Sequence, residues 1–127
     1  MLGSTFHGAP MPTIRQLVGA IAQRDGVEAA ILLGRDGLVI DGRTAPGLDA
    51  EYLAANVPAL VAASEELSSQ GDRGALVTAV LEHERGLAVI CTLSTEATLL
   101  VLVHSSANVG SLLFDLRRHR GNIASLV

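Results

Sequence analysis

Between Gly74 and His104 three apolar segments follow one another with only short polar breaks: Ala75–Leu81, Leu87–Leu93 and Leu99–Val103. The breaks, His83-Glu84-Arg85-Gly86 and Ser94-Thr95-Glu96-Ala97, are too short to hold a helix. The pattern therefore predicts an antiparallel meander. Its last run has five apolar residues without alternation, and a strand of that kind is covered on both faces. Helices on both sides of the sheet are then required, and the remaining chain supplies three.

The first helix opens at Pro12-Thr13, with Ile14, Leu17, Val18 and Ile21 on one stripe and Arg15, Gln16, Gln23 and Arg24 on the other face. Asp25-Gly26 ends it, glycine suiting a left-handed cap. Two strand patterns follow, Val27–Leu33 and Leu38–Arg43, joined by Gly34-Arg35-Asp36-Gly37, whose Asp-Gly pair is a hairpin signal. Alternation puts Val27, Ala29, Ile31 and Leu33 on one face of the first strand and Glu28, Ala30 and Leu32 on the other.

Asp49 is suited to cap a second helix running to Gln70, with Leu53, Val57, Leu60, Ser64 and Leu67 as its buried stripe and Ala55, Ala59, Ala62 and Ala63 as a small-residue flank. Pro58 removes one backbone donor. One kinked helix is expected, the alternative being a short turn over 49–55 and a main helix from about Pro58. After the meander, Asn108 caps a third helix carrying Val109, Leu112, Leu113 and Leu116, then Ile123 and Leu126, with Gly121 a point of interruption. The order α-β-β-α-β-β-β-α describes a single three-layer α/β/α domain over residues 12–127, preceded by an unstructured tail over 1–11.

Composition narrows the chemistry. Apolar residues make up 49% of the chain but aromatics only 2%, which leaves no stacking platform for single-stranded nucleic acid. A net charge of −4 gives no footprint for a polyanion. All nine basic residues are arginines, which removes P-loop, Schiff-base and general-base lysine chemistry. The lone Cys91 falls inside an apolar run, as a buried structural thiol does. No stretch approaches the ~18 apolar residues that span a bilayer. The N-terminus lacks the basic and apolar regions of a secretory signal, so a cytoplasmic protein is expected, without membrane insertion.

The Gly-x-Asp-Gly-Leu-Val-Ile hairpin at Leu33–Ile40, the Ala-rich second helix at Asp49–Leu67 and the run Leu99–Val103 leading through Asn108-Val109-Gly110 into a helix resemble the Roadblock/dynein light chain domain family, particularly its MglB-like branch. The resemblance covers nearly all of 12–127. It implies a five-stranded antiparallel sheet of order 2-1-5-4-3, with one helix on one face and two on the other. It also implies homodimers or heterodimers that meet through the third strand and second helix and bind small Ras-like GTPases. Functions residing in the C-terminal extension of some MglB-like proteins are not expected here.

In that arrangement Ala75–Leu81 is an edge strand without Pro, Gly or charge, the kind of edge that pairs with another chain. Leu76, Val77, Thr78 and Val80 are the expected dimer contacts, with a second copy or a paralogue. Tyr52, Ala55, Ala59, Ala62 and Glu66 are the expected GTPase contacts. Other candidates are weaker. His7, His83, His104 and His119 have no metal-ligand spacing, and only His104 is expected to be partly buried. Asp49, Glu51, Glu65 and Glu66 are read as solvated charges rather than an acid–base pair. Arg117-Arg118-His119-Arg120 fits nucleic acid, anionic lipid, an acidic partner or simple compensation of a helix dipole. Arg35 and Arg85 at hairpin tips are weak arginine-finger candidates. No catalytic, metal or cofactor site is expected. The alternative to a GTPase regulator is a small-ligand sensor with a pocket inside the sandwich.

Overall fold

In the computed structural model, which describes residues 13–126, Thr13 caps helix α1 (Ile14–Ala22). Its Oγ1 accepts the Gln16 N–H at 3.2 Å, and the Gln16 side chain accepts the Thr13 N–H at 2.9 Å. That reciprocal pair satisfies two donors a helix start leaves open. Leu17, Val18 and Ile21 are fully buried, as their spacing predicts. Gly26 follows with φ +85°, and a Cβ there would lie 2.5 Å from Ala107 Cβ. Both the left-handed backbone and the close approach of the later loop demand glycine. The tail expected over residues 1–11 lies outside the described residues.

Strands β1 (Val27–Gly34), β2 (Val39–Thr44), β3 (Thr78–His83), β4 (Gly86–Thr92) and β5 (Ala97–His104) form one sheet of order β2-β1-β5-β4-β3. Every ladder is antiparallel. The register of β1 against β5 shifts between Val27 and Ala29. This bulge turns Val27 to the side of Ala30 and Leu32, not that of Ala29, Ile31 and Leu33 as strict alternation predicts. Strand β3 starts later than its apolar run. Ala75–Val77 instead form a tethered strap: Leu76 N–H donates to Glu65 Oε2 at 3.3 Å, Thr92 N–H donates to Val77 O at 3.0 Å, and Thr92 Oγ1 donates to Leu76 O.

Helices α1 and α4 (Val109–Ala124) pack on one face of the sheet, and α2 (Ala50–Ala55) and α3 (Val57–Ser69) on the other. The result is the three-layer sandwich. The expected kinked helix is split at Asn56, the alternative that Pro58 raised. Asn56 keeps right-handed backbone angles (φ −84°, ψ −15°) and its Nδ2 donates to Tyr52 O at 2.8 Å. Pro58 has no N–H to continue the ladder, so it sits in the first turn of α3, where that loss is harmless. Its ring also receives the hairpin tip: a Cβ on Gly37 (φ +87°) would lie 3.1 Å from Pro58 Cγ. Helix α4, by contrast, continues through Gly121 without interruption.

One interaction ties α1 to α4. Arg24, expected on the outer face, turns inward and donates to Asp115 Oδ2 at 2.7 Å and to Ser111 Oγ at 3.0 Å. Its side chain is 16% exposed and that of Asp115 only 5%. His104, expected to be partly buried, is instead exposed, its Nδ1 accepting the Ser106 N–H at 3.2 Å.

Removing one member of the buried pair strands the other charge, so Asp115→Ala is expected to destabilise the fold by about 3–5 kcal/mol in urea denaturation. Replacing both Arg24 and Asp115 with apolar residues is expected to cost clearly less than the single change. A second variant, Gly37→Ala, is expected to cost about 1–3 kcal/mol through its positive φ and the Pro58 contact.

Candidate interaction surface

At 3.6 residues per turn, α3 presents four differently composed faces. The sheet-facing line is Ala54 from α2, then Val57 and Val61, of which Ala54 and Val57 are 0% and 2% exposed. Leu60 and Leu67, expected on the buried stripe, are 43% and 79% exposed and lie on one flank. Pro58, Ala62 and Glu65 occupy the opposite flank. The outer face carries Tyr52, Ala55, Ala59 and Glu66, all exposed, and Ala62 at its margin is exposed too. The five residues expected to contact a GTPase thus form one accessible stripe across α2 and α3, because the Asn56 break leaves the helical phase intact.

Covering of the two sheet faces is unequal. On the α1/α4 side Val89, Cys91, Leu99, Val101 and Val103 are all buried. On the α2/α3 side Ala79, Leu81, Ala88 and Leu102 are only partly buried. Apolar sheet surface is therefore left half-covered next to the helix that exposes Leu60 and Leu67.

The two end strands also differ. Edge strand β2 carries Asp41 and Arg43, whose cross-strand partners Leu32 and Ala30 belong to the α1/α4 core. Arg43 Nη2 donates to Arg15 O at 3.4 Å. Inward charges and the bulge at Leu32/Leu33 discourage further pairing along this edge. Strand β3 has no such device from Thr78 to Leu81, although Glu82 and His83 at its end carry polar groups. The Thr92 N–H to Val77 O bond fixes which β3 groups face β4. By alternation the N–H and C=O of Thr78, Val80 and Glu82 face outward. Of the expected dimer contacts, Val77 and Val80 are 48% and 40% exposed, while Leu76 and Thr78 are half-buried. Leu76 and Val77 stand in the strap rather than in the strand.

Comparison with known proteins agrees with this architecture. A family model described as the Roadblock/LC7 domain matches residues 13–103. The chain belongs to the Roadblock/LC7 family. Among curated relatives, the uncharacterized protein MJ0714 of Methanocaldococcus jannaschii is 29% identical over 102 residues, covering 80% of this chain and 86% of that protein. The Roadblock/LC7 domain from Streptomyces avermitilis is similar in structure, with a TM-score of 0.76, 25% identity, and coverage of 91% of this chain and 95% of that one. The gliding protein MglB from Thermus thermophilus has the same fold, with a TM-score of 0.79 at 20% identity, covering 94% of this chain and 92% of that one. The likeness to MglB is one of fold, and the expected strand order is the one found.

Elsewhere in this Roadblock/LC7 domain the candidate chemistry resolves into structural roles. Asp49 Oδ1 accepts the N–H groups of Glu51 and Tyr52 at 3.0 and 3.3 Å, capping α2. The arginine cluster is divided: Arg117 and Arg118 are exposed, whereas Arg120 turns inward and its Nε donates to Thr92 O at 2.7 Å. No group of three or more His, Cys, Asp or Glu suited to a metal occurs among the described residues. No described helix is long and apolar enough to cross a membrane.

Cys91 is 2% exposed. Burial pushes its thiol above the ordinary range, while the nearby positive charge of Arg120 pulls the other way. A thiol held neutral in the folded state adds stability that is complete at neutral pH and is lost as pH rises through its folded-state pKa. Cys91 is therefore expected to resist iodoacetamide at about pH 8 in the native protein and to react fully once unfolded, as measured by intact mass. Stability is expected to fall at alkaline pH more steeply in the parent than in Cys91→Ala.

Proposed function

We propose that this chain is a non-enzymatic, dimeric regulator or scaffold of the cytoplasm that binds a small Ras-like GTPase. One observation carries the reading: the outward backbone groups of Thr78 and Val80 have no partner among the described residues, in a molecule with a helix that exposes Leu60 and Leu67 and a sheet face left half-covered. A second copy, or a paralogue, supplies what is missing, adding its own β3 across the edge and its own helix over the open apolar surface. Pairing two such chains brings two alanine-lined outer faces side by side. The resulting shallow platform, Tyr52 to Glu66 in each protomer, suits a protein surface rather than a small substrate.

The mechanism is positional. Small side chains let the partner's backbone approach closely, and a GTPase conformation that fits the platform is stabilised by as much as it binds better than the alternative. Family membership and the MglB fold support a GTPase as the partner.

In Val80→Pro the lost N–H faces outward, so the bond to β4 is retained. Sedimentation equilibrium at micromolar concentration is expected to give a dimer for the parent and a monomer for this variant. A monomeric parent would contradict the reading. Ala59→Arg is expected to leave the dimer intact but abolish co-elution with a Ras-like GTPase of the same cell, together with any effect on its hydrolysis rate. Unchanged binding would remove the outer face as the platform.

A further inference from the structure

A cleft of about 570 Å³ opens at the end of the sheet, between the inner edge of α3 and the tips of the β1–β2 and β4–β5 hairpins. Those two tips are joined there, Arg35 N–H donating to Glu96 O at 3.1 Å. Leu33, Val57, Val61 and Leu76 give the cleft an apolar floor. Its polar lining comes from Arg35, Arg120, Glu65 and the hydroxyls of the β4–β5 turn.

Most of these polar groups are already committed. The Glu65 carboxylate accepts the Leu76 N–H, Arg120 Nε donates to Thr92 O, and Ser94 Oγ accepts the Glu96 N–H. Among the groups still uncommitted, two bear on a ligand. The Arg35 guanidinium has no side-chain partner among the described residues. Thr98, on β5 between Leu33 and Thr92, is one of two buried polar residues, at 8% exposure, and its hydroxyl likewise has no partner among the described residues.

We propose that this cleft binds a small carboxylate with an apolar body. The carboxylate pairs with Arg35 and accepts the Thr98 hydroxyl, while the body lies on Leu33, Val57 and Val61. A guanidinium presents only donors and matches an acceptor-only planar headgroup in a two-point bond. The volume falls within the range of sites for small organic molecules. Among the described residues no aromatic lines the cleft, so a nucleobase or flavin ring finds nothing there to stack on. Glu65, in the same lining, disfavours a second negative charge and so favours a monocarboxylate over a phosphate ester. Because Ala62 and Leu76 also line the cleft, its occupant touches both the outer stripe of α3 and the strap leading into β3. The proposal does not depend on the GTPase reading.

The test is a titration of the isotope-labelled protein with octanoate, followed by backbone amide NMR, with methyl octanoate and inorganic phosphate as comparison ligands. Saturable shifts are expected at Gly34, Arg35, Val61, Leu76 and Thr98. Arg35→Gln, at an exposed turn, and the near-isosteric Thr98→Val are each expected to weaken octanoate tenfold or more. Both comparison ligands are expected to bind at least tenfold more weakly than octanoate. Absence of saturable shifts, or shifts spread over Leu60, Leu67 and Val80, would overturn the proposal. So would ester or phosphate binding equal to octanoate, or an Arg35→Gln protein that binds as the parent does.

Discussion

A strand at the end of a sheet leaves alternate backbone N–H and C=O groups unpaired, and the two end strands of this fold meet that constraint in opposite ways. Strand β2 sets Asp41 and Arg43 toward the α1 side and breaks its register at Leu32/Leu33. Strand β3 from Thr78 to Leu81 carries only small or apolar side chains, and its sole ladder partner is β4. The neighbouring surface repeats the asymmetry, since the α1/α4 face is closed and the α2/α3 face is not. An open backbone edge and an open apolar face on the same part of a molecule call for one partner that closes both.

The interior shows why the closed side is rigid enough to support this. Helix α1 is clamped to α4 by the Arg24–Asp115 pair, and α4 is clamped to the end of β4 by Arg120. Both are charge-assisted bonds in poorly solvated positions, and they fix orientation more than they add stability. Among the described residues no comparable clamp holds α3 on the other face. Its attachments include Val57 and Val61, the Gly37–Pro58 contact and the Glu65 tether to the strap. The helix is therefore placed where it can be completed by another surface.

Much of this was legible in the residues. Period-2 and period-3.6 patterns locate the strands and helices, the Asp36-Gly37 turn sets the first hairpin, and family resemblance supplies the strand order. The departures have physical causes. Leu60 and Leu67 look like core residues by hydropathy, yet a split at Asn56 and a line of Ala54, Val57 and Val61 already fill the sheet-facing side. Val27 changes face through a bulge that no periodicity encodes. The buried ions were readable in principle: Arg24 falls three residues after Ile21, and Asp115 three after Leu112, each on an apolar stripe. Opposite charges that continue the inward stripes of α1, just past its end, and of α4 are a signal for a pair, which sorting residues by polarity alone overlooks. The cleft behind Arg35 left no local trace, because its walls come from five separate segments.

Pairing with a second chain turns on the outward amides of β3. Hydrogen–deuterium exchange of Thr78, Val80 and Glu82, followed at increasing protein concentration, interrogates them directly. Protection of these three amides is expected to rise with concentration as a second strand takes them up, while that of Ala79 and Leu81, already bonded to β4, changes little. Fast exchange of Thr78 and Val80 at every concentration would mean that no neighbouring strand ever closes this edge, and would contradict the account.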